Sequence, residues 1–261
     1  MARLLSIEWI KLKKYKAFWV LLLLFALACI GINTYLFHLQ SKVTVRSGGA
    51  LKLDLFGSQN LWHTTAWLTN FILILPGVLV ILLMANEFSY KTLRQQIING
   101  FSRTEALVSK WLLLICLAVG CWVIYLLTVF IMGRFFLHLD DVWMNFYYAG
   151  YAFINIILCL SVAFILAIWI KRSGLTIAIY LVYCFFIENI FDYFLSKINV
   201  FTGNFLPLSS GTSLTPSPFN KLLGNQASLS HPADYWYILA AVLWIVIIHS
   251  IALRYIRRAD L

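Results

Sequence analysis

Runs of about twenty apolar residues recur along this chain, and they decide what it can fold into. "WLTNFILILPGVLVILLMA" and "WLLLICLAVGCWVIYLLTVFIMG" are two of them. A helix of ~20 residues, rising ~1.5 Å per residue, crosses ~30 Å of hydrocarbon. In that medium every backbone N–H and C=O must be satisfied within the protein, which leaves helices or closed barrels. Barrel strands would alternate apolar and polar residues over ~10 positions, and no such alternation is present. Only 11% of the residues are charged and 62% are hydrophobic, against about 25% charged in a soluble domain. The sequence predicts an all-α polytopic membrane protein, with one transmembrane domain over residues 1–261.

Six spans are predicted, at about Ala17–Phe37, Trp67–Ala85, Trp111–Gly133, Phe146–Ile170, Gly174–Leu195 and Tyr235–Leu253. Trp19, Trp67, Trp111, Trp169, Tyr235 and Trp236 lie near span ends, where amphipathic rings favour the headgroup level. In the first span "ALAC" resembles a degenerate lipoprotein cleavage site ending at Cys29. Ala26 stands where Leu is usual, so the segment is read as a retained anchor.

Basic residues give the orientation. With the N-terminus in the cytoplasm, the inside segments hold 14 of the 20 Lys and Arg, leaving Lys42, Arg46, Lys52, Arg134, Lys197 and Lys221 outside. The positive-inside rule then places both termini in the cytoplasm. The net charge of +10 reflects this asymmetry and attraction to anionic membrane lipid; no nucleic-acid partner is implied. All five cysteines fall inside predicted spans, with no C-x-x-C, and are read as small buried residues.

Residues 1–16 read as a short helix with Leu5, Trp9 and Leu12 at helical spacing and lysines at 11, 13, 14 and 16. It is either an interfacial helix or a charged topogenic tail. Two outer loops are long, His38–Ala66 and residues 196–234. The second holds Pro207, Pro216, Pro218 and Pro232, and its apolar stretches suggest short helices dipping toward the membrane.

The cytoplasmic segment at residues 86–110 is the most informative. Tyr90, Leu93, Ile97 and Phe101 recur at helical spacing, with Lys91, Arg94 and Gln95 turned elsewhere. Gly100 sits where a helix end wants positive φ. "SRTE" then spells a capping box between Ser102 and Glu105, so a second helix runs on into span three. A turn alone needs only a few residues. This segment builds a separate helix whose apolar stripe must lie on lipid, on the bundle or on a partner.

The pattern Glu87…Thr92-x-Arg94…Gly100-x-Ser102-Arg103…Lys110 resembles the segment after the second span in ABC-2 type exporter permeases. One departure is Lys91, where that family usually has Gly before the Thr. The architecture is also similar, with an N-terminal amphipathic helix, six spans, both termini inside and a long outer loop between spans five and six. The small size and the opening "LLSIEWIKLKKYKAFWVLLLL" look most like the bacitracin-resistance and lantibiotic-immunity branch. The resemblance implies an ABC-2 (type V) exporter-like fold in a bacterial plasma membrane. It implies that the elbow is a coupling helix docked in a groove of a separate ATPase subunit, and that a second permease copy or a sister permease completes the pathway. Glu87, Thr92, Arg94, Gly100, Ser102, Arg103, Glu105 and Lys110 are its expected coupling residues, with Arg94 and Arg103 forming ion pairs. The chain lacks a G-x-x-x-x-G-K-[ST] phosphate loop, so ATP and Mg²⁺ would be bound by the partner subunit and no cofactor by this chain.

Polar residues within spans are few. Glu188 and Asp192 lie four apart on span five with Asn189 adjacent. Intramembrane carboxylates face a bundle interior or water, so these three form a gate or pathway element, or else lie at an already wet helix end or pair with Arg134. Pro76-Gly77 predicts a kink in span two, and Asn155 a hydrogen bond to a neighbouring helix. "HLDD" at 138–141 lacks a second cluster, and no metal site is assigned. No catalytic residues are assigned either: H-E-x-x-H, G-x-S-x-G and facing aspartates are missing. A membrane-embedded enzyme and an ATP-independent secondary transporter are the alternatives to an exporter of amphiphilic peptides, antibiotics or lipid-like molecules.

Overall fold

The computed structural model describes residues 2–46, 55–98, 100–136, 142–197, 203–221 and 234–258. Helix α1 (Ala2–Lys14) breaks at Tyr15 and is followed by α2 (Lys16–Arg46). Next come α3 (Leu61–Ile72), α4 (Ile74–Ser89), the short α5 (Thr92–Ile98) and α6 (Arg103–Ile131), which ends in a π-helical turn, Met132–Phe136. Helix α7 (Tyr147–Ile170) leads to α8 (Ser173–Val182), a second π turn (Tyr183–Ile187) and α9 (Glu188–Ser196). Helices α10 (Pro207–Thr212) and α11 (Asp234–Arg258) complete the chain. Among the described residues five helices are long and apolar enough to span a membrane, and α3 with α4 makes a sixth if that bent pair counts as one. The chain is thus a multi-pass membrane protein.

Several boundaries differ from the sequence expectation. Helix α2 runs to Arg46 instead of ending near Phe37. At ~1.5 Å per residue its 31 residues reach ~46 Å, well beyond ~30 Å of hydrocarbon. Within the extension Ser41 and Thr44 turn their hydroxyls back onto the carbonyls of His38 and Gln40. Span two starts at Leu61, six residues early, because Leu61–Ala66 are fully buried. They pack with Tyr125 and Val129 of α6 in a core where the Trp62 indole N–H donates to Val142 O at 2.6 Å.

The expected kink forms three residues before Pro76. Helices α3 and α4 bend by 42° at Leu73. Proline has no N–H for the carbonyl four residues back, at Ile72, and its ring crowds that carbonyl. Helix α3 therefore stops at Ile72, and Pro76 sits in the first turn of α4, where its missing donor costs nothing. Gly77 has a packing role beside the bend. A Cβ there would overlap the ring and hydroxyl of Tyr180 on α8, so glycine admits a fully buried tyrosine whose oxygen lies 3.0 Å from Cys159 Sγ.

Helix α7 is the axle of the bundle, packed against α3, α4, α6, α8, α10 and α11. Helices α2, α9 and α11 turn exposed Leu, Val, Ile, Phe and Tyr outward, as a lipid-facing surface requires. Helix α1 and the last turn of α11 share one end of the bundle with the elbow between α4 and α6. Arg103 of the elbow donates to Arg257 O at 2.9 Å, and α1 meets α6. Lys171, left-handed at φ 59° in the α7–α8 turn, lies over the rings of Phe88 and Tyr255 at that same end. Within α1, Glu8 and Leu12 face inward while Trp9 and Ile10 face out.

Candidate functional site

The elbow is built by three local devices. After α4 the backbone turns left-handed at Lys91, φ 53°, a geometry glycine adopts at no steric cost. That is why Gly is natural at this position in the resembled pattern, and why Thr92 can still start α5 here. Gly100 takes φ 93° after α5. Ser102 then caps α6: its hydroxyl accepts from Glu105 N at 3.2 Å, and Glu105 Oε2 accepts from Ser102 N at 2.8 Å. The turn geometry expected of Gly100, Ser102 and Glu105 is present.

Behind the elbow lies a cluster of charges. The Lys110 ammonium, 2% exposed, sits 2.7 Å from Glu8 Oε1 and 2.8 Å from Glu87 Oε1. Lys11 completes the group at 2.9 Å from Glu87 Oε1 and 3.7 Å from Glu8 Oε1. The Thr92 hydroxyl donates to Glu87 Oε2. Two carboxylates and two ammoniums alternate, so the group is neutral overall, and its burial is tolerable only because each charge is paired. Glu8 and Lys11 come from α1, Glu87 from α4, Thr92 from α5 and Lys110 from α6. The cluster clamps all four to one another.

Glu87, Thr92 and Lys110 therefore bond within the chain. The outward face of the elbow is made by Arg94 and Gln95, both exposed, with Tyr90 and Ile98 at 72% and 74% exposure. The expected apolar stripe is redistributed. Ile97 and Phe101 are half-buried, Tyr90 points out beside Ile98, and the Leu93 side chain lies outside the described residues. Arg103 is exposed but spends one N–H on the last turn of α11.

A second polar region lies at the opposite end. A cavity of about 1110 Å³ opens where the α3–α4 break meets α7, the second π turn, α10 and the start of α11. Glu188 projects into it, 4% exposed. Its Oε1 accepts from Ser209 N at 2.6 Å, while Oε2 has no hydrogen-bond partner. Asn155 Nδ2 donates to Asn70 Oδ1 at 2.7 Å, and Asn70 Nδ2 donates to Thr215 Oγ1 at 2.9 Å, so Asn155 does bond a neighbouring helix. Gly211 lets the Asn155 side chain pass, since a Cβ there would overlap it. Asp192 packs against Gly203, and Asn189 is exposed, donating to Phe185 O at 2.8 Å. Glu188 and Asp192 share a helix but not a site, and among the described residues neither pairs with Arg134. The same described residues contain no cluster of three His, Cys, Asp or Glu placed to hold a metal; residues 138–141 lie outside them.

Sequence reasoning missed Glu8 as a partner of Lys110, and Asn70, Ser209 and Thr215 as cavity groups. A signal for Glu8 exists: it is the sole carboxylate before Asp54, set among lysines. For the other three nothing local distinguishes a cavity residue from an ordinary polar one.

A family model described as ABC-2 family transporter protein matches residues 4–187, well over half of the 261 residues. No curated protein matches the chain significantly. The match includes α1 from residue 4 on, the elbow and the whole charge cluster, and ends one residue before Glu188. The chain belongs to the ABC-2 family of transporter proteins.

Proposed function

We propose that this ABC-2 family member is the membrane-spanning permease subunit of an ATP-driven exporter of the type V kind. It works with a separate ATPase subunit, which binds ATP and Mg²⁺, and with a second copy or a sister permease. Its setting is a bacterial plasma membrane with both termini in the cytoplasm. Its cargo is an amphiphilic peptide, an antibiotic or a lipid-like molecule, as in the bacitracin-resistance and lantibiotic-immunity branch.

The observation that carries this reading is the charge cluster behind the elbow. A docking helix transmits force only if it cannot flex independently of the spans. Here Glu87, Thr92 and Lys110 tie the elbow to α4 and α6, and Glu8 and Lys11 extend the clamp to α1. A push on α5 therefore displaces the ends of three long segments together, the kind of rigid-body input that rocks one bundle against another. The exposed surface carrying Tyr90, Arg94, Gln95 and Ile98 is the docking face, suited to an apolar groove rimmed by acidic groups.

The test is co-purification from mild detergent with the ATP-hydrolysing subunit encoded nearest to it. Wild type should retain that subunit, Arg94→Glu with Ile98→Glu should lose it, and Arg103→Glu should show how far the α11 contact contributes. Membrane insertion is matched by quantifying each variant in the membrane fraction. If wild type captures no ATPase, the coupling reading falls and an ATP-independent transporter takes its place.

A further inference from the structure

We infer that the cavity at the end opposite the elbow binds the cationic headgroup of an amphiphile, with Glu188 as its counter-charge. As the identity of an exporter's cargo this rests on the proposed function; as a binding site it does not.

Three independent features converge there. The first is Glu188 itself, a buried cavity-lining carboxylate with one oxygen held by Ser209 N–H, while the other is sealed near Tyr183 without a partner in good hydrogen-bond geometry. A buried carboxylate oxygen without a donor is costly, and an alkylammonium entering the cavity would supply the missing partner. The second is the charge of the walls. The described lining contains two carboxylates, Glu188 and Asp234, and no Lys or Arg. His63 is held against the Tyr148 ring, 4.8 Å between centroids. An anionic headgroup would meet no fixed positive charge, so the cavity discriminates by sign.

The third is the irregular backbone. The break at Leu73 and the π turn Tyr183–Ile187 both border the cavity. Single π turns within helices concentrate at functional sites because they re-aim the side chains that follow. Here the next residue is Glu188. The lining suits the rest of such a molecule: Phe71 and Phe185 line the cavity and are 56% and 53% exposed. An alkyl tail can lie against such rings while the headgroup stays at the carboxylate. The polar wall of Asn70, Asn155 and Thr215 is already bonded to itself and needs no ligand.

The experiment uses the full chain in lipid nanodiscs and radiolabelled decylammonium, whose three N–H groups can donate, below its micelle concentration. Wild type should bind it saturably, at one site per chain above partition into empty nanodiscs. Unlabelled decylammonium should displace the label, and decyl sulfate at equal concentration should not. Glu188→Gln should weaken binding about tenfold, the scale of one lost charge-assisted bond. Ser213→Trp, which puts an indole into the cavity from its lining and leaves Glu188 in the sequence, should reduce binding, and it decides the matter if Glu188→Gln does not insert. Uptake no greater than that of empty nanodiscs, equal displacement by decyl sulfate, or binding unchanged in both variants would overturn the proposal. ATPase capture measured on the same preparation separates the two readings. Capture without ammonium binding overturns the cavity site alone, and ammonium binding without capture overturns the coupling role alone.

Discussion

Lys110 and Glu8 stand 102 residues apart in the chain, and their charged groups meet at 2.7 Å in a buried contact. Removing one member of such a pair leaves an uncompensated buried charge, which typically costs ~3–5 kcal/mol. Lys110→Met should lower the thermal midpoint in detergent strongly, because two carboxylates then share Lys11 alone. Adding Glu8→Leu should recover much of that loss, since Lys11 and Glu87 remain a matched pair at 2.9 Å. A double-mutant cycle giving simple additivity would mean the two groups do not interact.

If the cluster transmits force, it should also separate docking from drive. Glu8→Gln leaves the exposed face of α5 untouched. The variant should still capture the ATPase subunit while cargo-stimulated ATP hydrolysis falls. Loss of capture would place Glu8 in the docking surface instead.

Gly77 should tolerate no side chain while Tyr180 is present. Gly77→Ala places a methyl group into the Tyr180 ring and hydroxyl, an overpacking that typically costs ~1–3 kcal/mol. Tyr180→Leu alone leaves a void and is destabilising as well. The double variant should be more stable than the sum of the two, because each change relieves the other. Thermal unfolding of the four proteins measures this directly.

Lys91 occupies a left-handed backbone position at φ 53°. For an L-residue with a side chain that conformation costs about 1–2 kcal/mol, and glycine avoids it. Lys91→Gly should therefore hold or slightly raise stability, while Lys91→Val should lower it and slow hydrogen exchange should be lost at the amides of α5. Equal stability of the Gly and Val variants would show that the turn relaxes out of this conformation.

Asn155 donates to Asn70 across the α3–α7 interface. Asn155→Leu leaves Asn70 Oδ1 without its donor, and interhelical bonds of this kind contribute ~0.6–2 kcal/mol within membranes. Asn70→Leu combined with Asn155→Leu should cost less than the two singles added, read by unfolding in detergent. Ammonium binding should persist in the double variant, since its counter-charge is Glu188.

The sequence by itself determined what short-range physics controls. Six apolar stretches are legible because a chain without barrel alternation can satisfy its backbone in hydrocarbon only as helices, and among the described residues five helices plus one bent pair are long and apolar enough to span. The elbow was legible for the same reason. Gly100 and the Ser102–Glu105 box act over three or four residues, and both are present. Pro76 announced the bend, although the break fell at Leu73, because proline acts on the carbonyl four residues behind it.

Only the tertiary structure decided which polar groups meet. Glu8 finds Lys110, Asn70 finds Asn155, and Ser209 N–H reaches Glu188 across 21 residues. No spacing rule links such pairs. They are fixed by which helices pack side by side around α7, and by where α4 and α9 begin after their breaks. Asp192 shows the limit from the other side. It lies four residues from Glu188, on the same stripe of an ideal helix, yet it packs against Gly203 while Glu188 enters the cavity. A helical wheel reports direction around one axis; the neighbours in that direction are set by the other helices.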